Sequence, residues 1–211
     1  MLLRLPPEVL VILLPILVFS LCFHEFSHAY IAFRLGDPTA ERNGRLTLNP
    51  LAHLDPIGSM MILFVGFGWA KPIPVNPINL SNPRIGMMKI ALAGPASNMI
   101  LALIGGIIIR IVTSFPIIQI TEMLSLTLYF FCYVNIALAV FNMLPIAPLD
   151  GSQIFGSMIS KKNPELAWKI QTYGPKVLLI LILIGILTPF SILGRIMMPF
   201  IKLFMFIFTG L

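Results

Sequence analysis

The chain has 211 residues, of which 58% are hydrophobic and only 10% are charged, and its mean hydropathy is strongly positive. A water-soluble domain of this size carries far more charge on its surface, so the composition indicates an integral membrane protein. The formal net charge of +6 does not point to nucleic acid, because the basic residues are scattered at segment ends instead of clustering on one face. The two cysteines both fall in apolar segments, which excludes a cysteine-based zinc site and a disulfide framework.

The first apolar segment, at about residues 9–33, is long enough to cross a bilayer. It is longer than the hydrophobic region of a signal peptide and lacks a small-residue cleavage site, so a retained span is expected. Its second half contains the sequence HEFSH at residues 24–28. Histidines four residues apart share one helix face, and His-Glu-x-x-His on a helix is typical of zinc metallohydrolases. Ionisable groups at membrane depth are costly unless they face an interior site, which favours a zinc centre within the membrane.

Three stretches of different composition follow this span. A polar stretch at residues 34–55 carries several turn signals. Residues 57–70 are apolar but too short to span a bilayer as a helix. Their glycines and β-branched residues predict a re-entrant loop or short hairpin, which is tolerated at membrane depth only against protein or a wet cavity. Residues 71–83 are rich in proline, so no ordinary helix is expected there.

Four further apolar segments follow, at about residues 86–112, 122–146, 175–193 and 195–210. The last two are either two short spans or one span and an interfacial helix, with a break near Pro189 and Gly194. Residues 152–173 are polar and mildly amphipathic, as expected for a segment that lies at the membrane interface.

The predicted fold class is therefore an all-α polytopic membrane protein. We expect a helical bundle of about five to six membrane segments with a short membrane-embedded re-entrant β element. A single domain is expected over residues 1–211, with a catalytic core at about 9–155 and C-terminal membrane segments at about 174–210.

Basic residues predict the orientation of the chain in the membrane. Those flanking the first long loop and the loop after the third span are Arg34, Arg42, Arg45, Lys71, Arg84, Lys89, Lys161, Lys162, Lys169 and Lys176. By the positive-inside rule both loops are expected in the cytoplasm, and residues 113–121, which include no basic residue, on the opposite side. The end of the third span then reaches a depth similar to that of His24 and His28.

A catalytic zinc ion takes three protein ligands and leaves one position for water, so the two histidines need a third partner. The candidate donors are His53, Asp37, Asp55, Glu122 and Asp150. The predicted topology places Glu122 on the wrong side of the membrane. Asp150 is favoured, because the proline-interrupted helix end before it can unwind and aim a side chain into the bundle. The spacing alone leaves the remaining candidates open.

Glu25 lies about 100° around the helix from His24, which suits it to contact a zinc-bound water instead of ligating the metal. It would accept the proton of that water as hydroxide attacks a peptide carbonyl, and pass it to the leaving amine.

Several stretches in chain order carry a resemblance to a known family: HEFSH at 24–28, LGD at 35–37, NPLAHLDPIG at 49–58, GWAKPIPVNP at 68–77, GPASN at 94–98 and NMLPIAPLDG at 142–151. Together they resemble the motifs of the site-2 protease family, the intramembrane metalloproteases of peptidase family M50. The resemblance covers about residues 20–155.

This resemblance implies that His24, His28 and Asp150 hold one Zn²⁺ per chain and that Glu25 is the base. It also implies proteolysis of a transmembrane helix near its cytoplasmic end, by a minimal form without PDZ or CBS domains. Ala147 departs from the family, in which many members carry a proline at this place. We expect this difference to loosen the turn before Asp150 without removing Asp150 as a ligand.

Three further polar residues have two interpretations each. Asn98 and Asn142 either form interhelical hydrogen bonds or hold the substrate backbone or the developing oxyanion near zinc. His53 either positions substrate or ties the turn at residues 49–58 to the core, and the second role is slightly favoured.

The sequence thus predicts an intramembrane zinc metalloendopeptidase that cuts peptide bonds in or near transmembrane segments of its substrates. The expected partners are transmembrane protein substrates and the lipid bilayer, without nucleic acid. We expect a multi-pass protein of a prokaryotic plasma membrane, with its active site towards the cytoplasm.

Two alternatives belong to other functional classes. A ZIP-like metal transporter also places His and Glu on facing helices, but it needs a relay of metal sites, whereas these ligands converge at one depth. A catalytically silent membrane scaffold is the second alternative, and the presence of Glu25 argues against it.

Overall fold

The structure is a computed structural model that describes residues 5–115, 121–188 and 190–210. Within these residues nine α-helices follow one another: α1 (Pro7–Arg34), α2 (Thr39–Arg42), α3 (Pro50–His53), α4 (Pro56–Val65), α5 (Pro83–Ser114), α6 (Glu122–Asn142), α7 (Asp150–Ile159), α8 (Pro164–Leu187) and α9 (Ile192–Thr209). A short 3₁₀ helix covers Pro77–Asn79. Two sequence predictions lie outside the described residues, namely the break at Pro189 and the part of the external loop at residues 116–120.

Five of these helices, α1, α5, α6, α8 and α9, are long and apolar enough to cross a membrane. The prediction of an all-α membrane protein is therefore confirmed for the described part of the chain, at the lower end of the expected number of spans. Large apolar side chains such as Ile100, Leu179 and Phe200 are exposed on these helices. Lipid, which is as apolar as these side chains, is the solvent that such a surface requires.

Helix α1 carries the two histidines, and its ends follow from its sequence. Pro7 occupies the first helical position, where its missing N–H costs nothing. Pro15 lies inside the helix without ending it, as is tolerated in membrane helices. The helix ends at Arg34, and Gly36 follows with a φ of 100°, a left-handed conformation that glycine adopts without strain.

Helix α5 is the centre of the bundle and packs against α1, α6, α7 and α9. Two glycines permit the close approach of its neighbours, as small residues do in membrane helix pairs. A Cβ on Gly105 would lie 2.8 Å from the Cys132 sulfur of α6, and one on Gly106 would lie 2.7 Å from the Phe208 carbonyl of α9. The core between these three helices consists of Ala102, Ile109, Cys132, Ile136, Ile201 and Met205.

The predicted re-entrant β element is wrong. Residues 56–65 form helix α4, and the β pairing found among the described residues is a single isolated antiparallel bridge between Leu54 and Ala70. Beside this bridge, the Lys71 N–H donates to the His53 carbonyl over 2.8 Å. The extended segment after α4 thus folds back along the segment before it, but no strand forms in the described chain.

Helix signals at both ends of α4 explain this correction. The Asp55 side chain accepts a hydrogen bond from the Gly58 N–H over 2.8 Å, and Pro56 fills the first helical position. Gly66 closes the helix with a φ of 85°. These capping residues outweigh the glycines and β-branched residues on which the hairpin prediction rested.

The predicted interfacial segment at residues 152–173 is divided between two helices. It contains most of α7, and then the first part of α8, which begins at Pro164. Asn163 caps α8 by accepting from the Leu166 N–H over 2.9 Å. Trp168 and Lys169 therefore lie in the first turns of the helix that forms the fourth candidate span.

Candidate metal centre

Three predicted metal ligands meet at one point of the bundle. His24 and His28 lie one turn apart on α1, with ring centroids separated by 4.6 Å and ring planes at 83°. Asp150 is the first residue of α7 and is distant from both histidines in sequence. One ligand atom from each of the three lies within 4.8 Å of the others, and no other such group occurs among the described residues.

The carboxylate of Asp150 faces both imidazoles with a single oxygen. Its Oδ2 atom lies 3.1 Å from Nε2 of His24 and 3.4 Å from Nε2 of His28. Ligands of a tetrahedral zinc ion at about 2.0–2.1 Å lie about 3.3 Å from one another. The spacing and the chemistry of this donor set therefore fit Zn²⁺.

Hydrogen bonds on the far side of each ring determine which nitrogen faces the centre. Nδ1 of His28 lies 2.6 Å from the Ile90 carbonyl of α5, and Nδ1 of His24 lies 2.6 Å from Oδ1 of Asn98 on the same helix. Both partners are acceptors, so both Nδ1 atoms donate a proton. Neutral rings in this tautomer would present Nε2 lone pairs to the carboxylate, and a cation between these three acceptors would remove their mutual repulsion.

Gly94 of α5 gives the two rings the room that they occupy. A Cβ on Gly94 would lie 2.5 Å from Nε2 of His24, and it would also collide with Nε2 of His28. A side chain at this position would therefore fill the space in which the two imidazoles converge.

The turn that carries Asp150 is held from two directions. Gly151 packs so closely on the Met143 and Leu144 carbonyls that a Cβ there would overlap both. Ala147, the residue that departs from the family, is buried against Gly174 of α8, where a Cβ would lie 2.5 Å from the Ala147 nitrogen. Helix α8 thus packs directly on the turn that places the carboxylate.

Glu25 is partly buried and its carboxylate makes no hydrogen bond or ion pair with any described residue. It follows His24 directly on α1, next to the group of metal donors. The side chain of Asp150 keeps 19% of its exposure, so the centre is not sealed on that side. A carboxylate without a protein partner is chemically able to accept a proton from a water molecule.

The other candidate donors lie outside this group. His53 is fully buried, and its Nε2 donates to the Thr47 carbonyl over 2.7 Å. Asp37 is fully buried in the loop after α1, where its carboxylate accepts hydrogen bonds from Asn76 and Asn79. Asp55 caps α4. Glu122 is exposed at the start of α6.

Asn142 is one of the residues predicted to position substrate. Its Nδ2 donates to the Leu138 carbonyl of its own helix over 3.0 Å. Asn98 is fully buried and contacts His24, as described above. The sequence prediction missed a third amide, Asn135, whose Oδ1 accepts from Asn98 over 2.9 Å. Its signal was an asparagine within an apolar span, two helical turns before Asn142.

Comparisons with known proteins identify a family and several relatives of this chain. The family model Peptidase family M50 matches residues 108–185. YwhC of Bacillus subtilis is 40% identical over 172 residues, which are 78% of this chain and 77% of YwhC. Rip2 of Mycolicibacterium smegmatis is 32% identical over 151 residues, 69% of this chain and 55% of Rip2. MJ0392 of Methanocaldococcus jannaschii is 28% identical over 179 residues, 84% of this chain and 43% of MJ0392.

The names of all three relatives include the words zinc metalloprotease. No solved structure gives a significant match. These relatives do not favour the transporter alternative. With a relative as similar as YwhC matched over most of both chains, this chain belongs to peptidase family M50 and is a zinc metalloprotease of the site-2 type.

Proposed function

We propose that this protein is an intramembrane endopeptidase that cuts peptide bonds in or near transmembrane segments of membrane proteins. The observation that carries the proposal is that His24 and His28 lie inside a candidate membrane span and face the Asp150 carboxylate, which is 126 positions from His24 in sequence. Charged or metal-binding groups inside a span are costly to maintain, so their convergence points to chemistry at membrane depth.

In this proposal His24, His28 and Asp150 hold one zinc ion per chain. When bound, zinc supplies Lewis acidity, which lowers the pKa of a water to about 7 and polarises a carbonyl. The Glu25 carboxylate, which no described residue engages, accepts the proton of the attacking water and delivers it to the leaving amine. The Nδ1–H bonds of the two histidines keep the rings fixed while this happens.

Substrate is proposed to approach from the side on which Asp150 is partly exposed. Asn142 ends α6 at the start of the turn that carries Asp150, and it uses one amide hydrogen on its own helix. Its remaining N–H and its carbonyl oxygen are proposed to hold the substrate backbone. His53 is fully buried and bonded to a loop carbonyl, which favours a role in tying that loop to the core over contact with substrate.

The basic residues around α2 and α7 support an orientation with the centre towards the cytoplasm. A prokaryotic plasma membrane is the proposed location. The substrates are then single transmembrane helices whose cut site lies near their cytoplasmic end.

The test compares purified wild type with Glu25→Gln, using transmembrane test substrates in bilayer nanodiscs. Zinc content near one ion per chain is expected in both proteins, and cleavage in the wild type alone. Glu8→Gln, an exposed acid on the same helix, is the matched control and should cleave like the wild type. Equal cleavage by Glu25→Gln would reject Glu25 as base, while bound zinc without cleavage in any variant would reject the peptidase.

A further inference from the structure

We propose that Asn98 and Asn135 form a relay of positioning residues that fixes the proton on Nδ1 of His24 and so aims its Nε2 at the metal centre. The relay joins α1, α5 and α6 through side chains that are all fully or almost fully buried. It rests on the proposed zinc site and goes beyond it, because neither asparagine is expected to touch metal or substrate.

The orientation of the Asn98 amide follows from its neighbours. The Ser20 backbone carbonyl, which can only accept, lies 3.2 Å from the Asn98 nitrogen. The same nitrogen donates to Oδ1 of Asn135 over 2.9 Å. Both amide hydrogens are therefore used, and the oxygen of Asn98 must face His24, whose Nδ1 lies 2.6 Å away. Nδ1 of His24 then carries a hydrogen.

Asn135 is oriented in the same way, one step further from the site. Its amide nitrogen donates to the Phe131 carbonyl, one turn earlier on α6, over 2.9 Å. The oxygen of Asn135 is thereby turned towards Asn98. The directions of all these hydrogen bonds follow from the backbone carbonyls of Ser20 and Phe131, because a carbonyl can only accept a hydrogen bond.

This arrangement uses every amide hydrogen of Asn98 on protein groups, so none remains for a substrate. A neutral amide also holds the imidazole without adding a third carboxylate beside Glu25 and Asp150. An aspartate at position 98 could not donate to either of its two acceptors, so it would not be an equivalent replacement. These contacts favour a role of Asn98 through His24 over direct contact with substrate.

The two histidines are held by different kinds of hydrogen-bond acceptor. Side-chain variants can therefore remove the partner of His24 without removing that of His28. His28 donates to the Ile90 backbone carbonyl, which no side-chain substitution removes. His24 depends on a side chain and, through it, on a second side chain. Outer partners of metal ligands change metal affinity by about 10–100-fold when they are removed.

The test measures zinc affinity by competition with a chelator and the absorption spectrum of the Co²⁺-substituted protein, in the wild type, Asn98→Ala, Asn135→Leu and the double variant. We expect Asn98→Ala to weaken zinc binding by about 10–100-fold and to alter the Co²⁺ spectrum. Asn135→Leu should weaken binding less, and it should add little in the Asn98→Ala background, because it acts through Asn98.

Two buried neighbours serve as matched controls. Ser97→Ala removes a hydroxyl bonded to the Gly94 carbonyl, and Cys132→Ala removes a thiol that contacts the Ala102 carbonyl on the same pair of helices. Both should keep the zinc affinity and Co²⁺ spectrum of the wild type. Wild-type affinity in folded Asn135→Leu, or additive losses in the double variant, would overturn the relay.

A second measurement needs no variant and no zinc. The chain has three histidines, so ¹⁵N spectra of histidine-labelled, metal-free wild type are simple enough to assign. The relay requires a hydrogen on Nδ1 of His24, and a bare Nδ1 would overturn it. If the wild type binds zinc and shows these signatures but cleaves nothing, the proposed peptidase fails while the relay stands.

Discussion

Asp150 Oδ2 and His24 Nε2 lie 3.1 Å apart, although 126 positions of sequence separate the two residues. Three helices meet at this contact, because α5 packs on both α1 and α7. The pair is informative because Nδ1 of His24 already holds the ring proton, so two acceptors face each other in a buried site. Such a contact is stable only with a cation or an additional proton between them.

Replacement of Asp150 tests this relationship directly. Asp150→Ala is expected to lower zinc affinity by more than about 100-fold, since loss of a ligand exceeds the effect of losing an outer partner. Chelator competition on the purified protein measures it. Asp55→Ala is the matched control, because that carboxylate caps α4 outside the donor group and its loss should leave zinc affinity unchanged. Unchanged affinity in Asp150→Ala would remove it from the ligand set.

Gly94 is expected to tolerate no side chain. In Gly94→Ala the added Cβ would have to displace both imidazoles, because it falls 2.5 Å from Nε2 of His24. Overpacking of this kind costs about 1–3 kcal/mol of stability, and zinc affinity should fall with it. Thermal unfolding and zinc titration check the two effects.

Gly86→Ala on the same helix is the comparison for Gly94→Ala. The nearest atom to a Cβ at Gly86 is the Leu80 Cδ1 atom at 2.8 Å, the end of a flexible side chain that can move aside. This variant should bind zinc as the wild type does. Equal zinc affinity in both glycine variants would show that the rings have more freedom than the structure gives them.

Asp37 should make the protein sensitive to acid through a loop away from the metal. Burial raises the pKa of its carboxyl, but hydrogen bonds from Thr39, Asn79 and the Asn76 N–H outweigh burial and hold the pKa below the ordinary 3.8. A carboxyl with a lowered pKa stabilises the folded state above its ordinary pKa. That contribution is lost as the pH falls through the lowered value.

Asp37→Asn should therefore be less stable by about 1–3 kcal/mol at neutral pH, because an amide N–H would face a donor. The difference from the wild type should shrink as the pH falls below about 4. Unfolding temperatures in detergent over this pH range measure it, with Glu41→Gln, an exposed acid without an ion pair in the described chain, as the control. A constant difference across the pH range would contradict the assignment.

The convergence of His24 and His28 on one helix face was predictable because a five-residue motif on a helix is local geometry, and the same motif predicts Glu25 as the base. Asp150 was not determined by spacing, which left several donors open, and needed the resemblance to family motifs. The Ile90 carbonyl could not be predicted, since any residue type has one. The β element failed because the hairpin prediction weighed composition at residues 57–70 above the capping role of Asp55 and Gly66.

The packing of α8 on the Asp150 turn gives a further prediction, which concerns a helix outside the motifs. A Cβ on Gly174 would lie 2.5 Å from the Ala147 nitrogen and 2.8 Å from its Cβ. Gly174→Ala should therefore push α8 from the turn, lower zinc affinity and cost about 1–3 kcal/mol of stability.

Gly156→Ala is the matched control, since it lies where α7 meets α8 and a Cβ there would contact Gln171 at an ordinary 3.6 Å. An alanine inside helix α7 should be neutral or stabilising by up to about 1 kcal/mol, because glycine is the poorer helix former. Zinc titration and thermal unfolding of both variants show whether zinc binding depends on the contact between Gly174 and Ala147 or on any substitution where α7 meets α8. If Gly174→Ala bound zinc as tightly as Gly156→Ala, the position of Asp150 would not depend on α8, and the turn before it would hold the carboxylate alone.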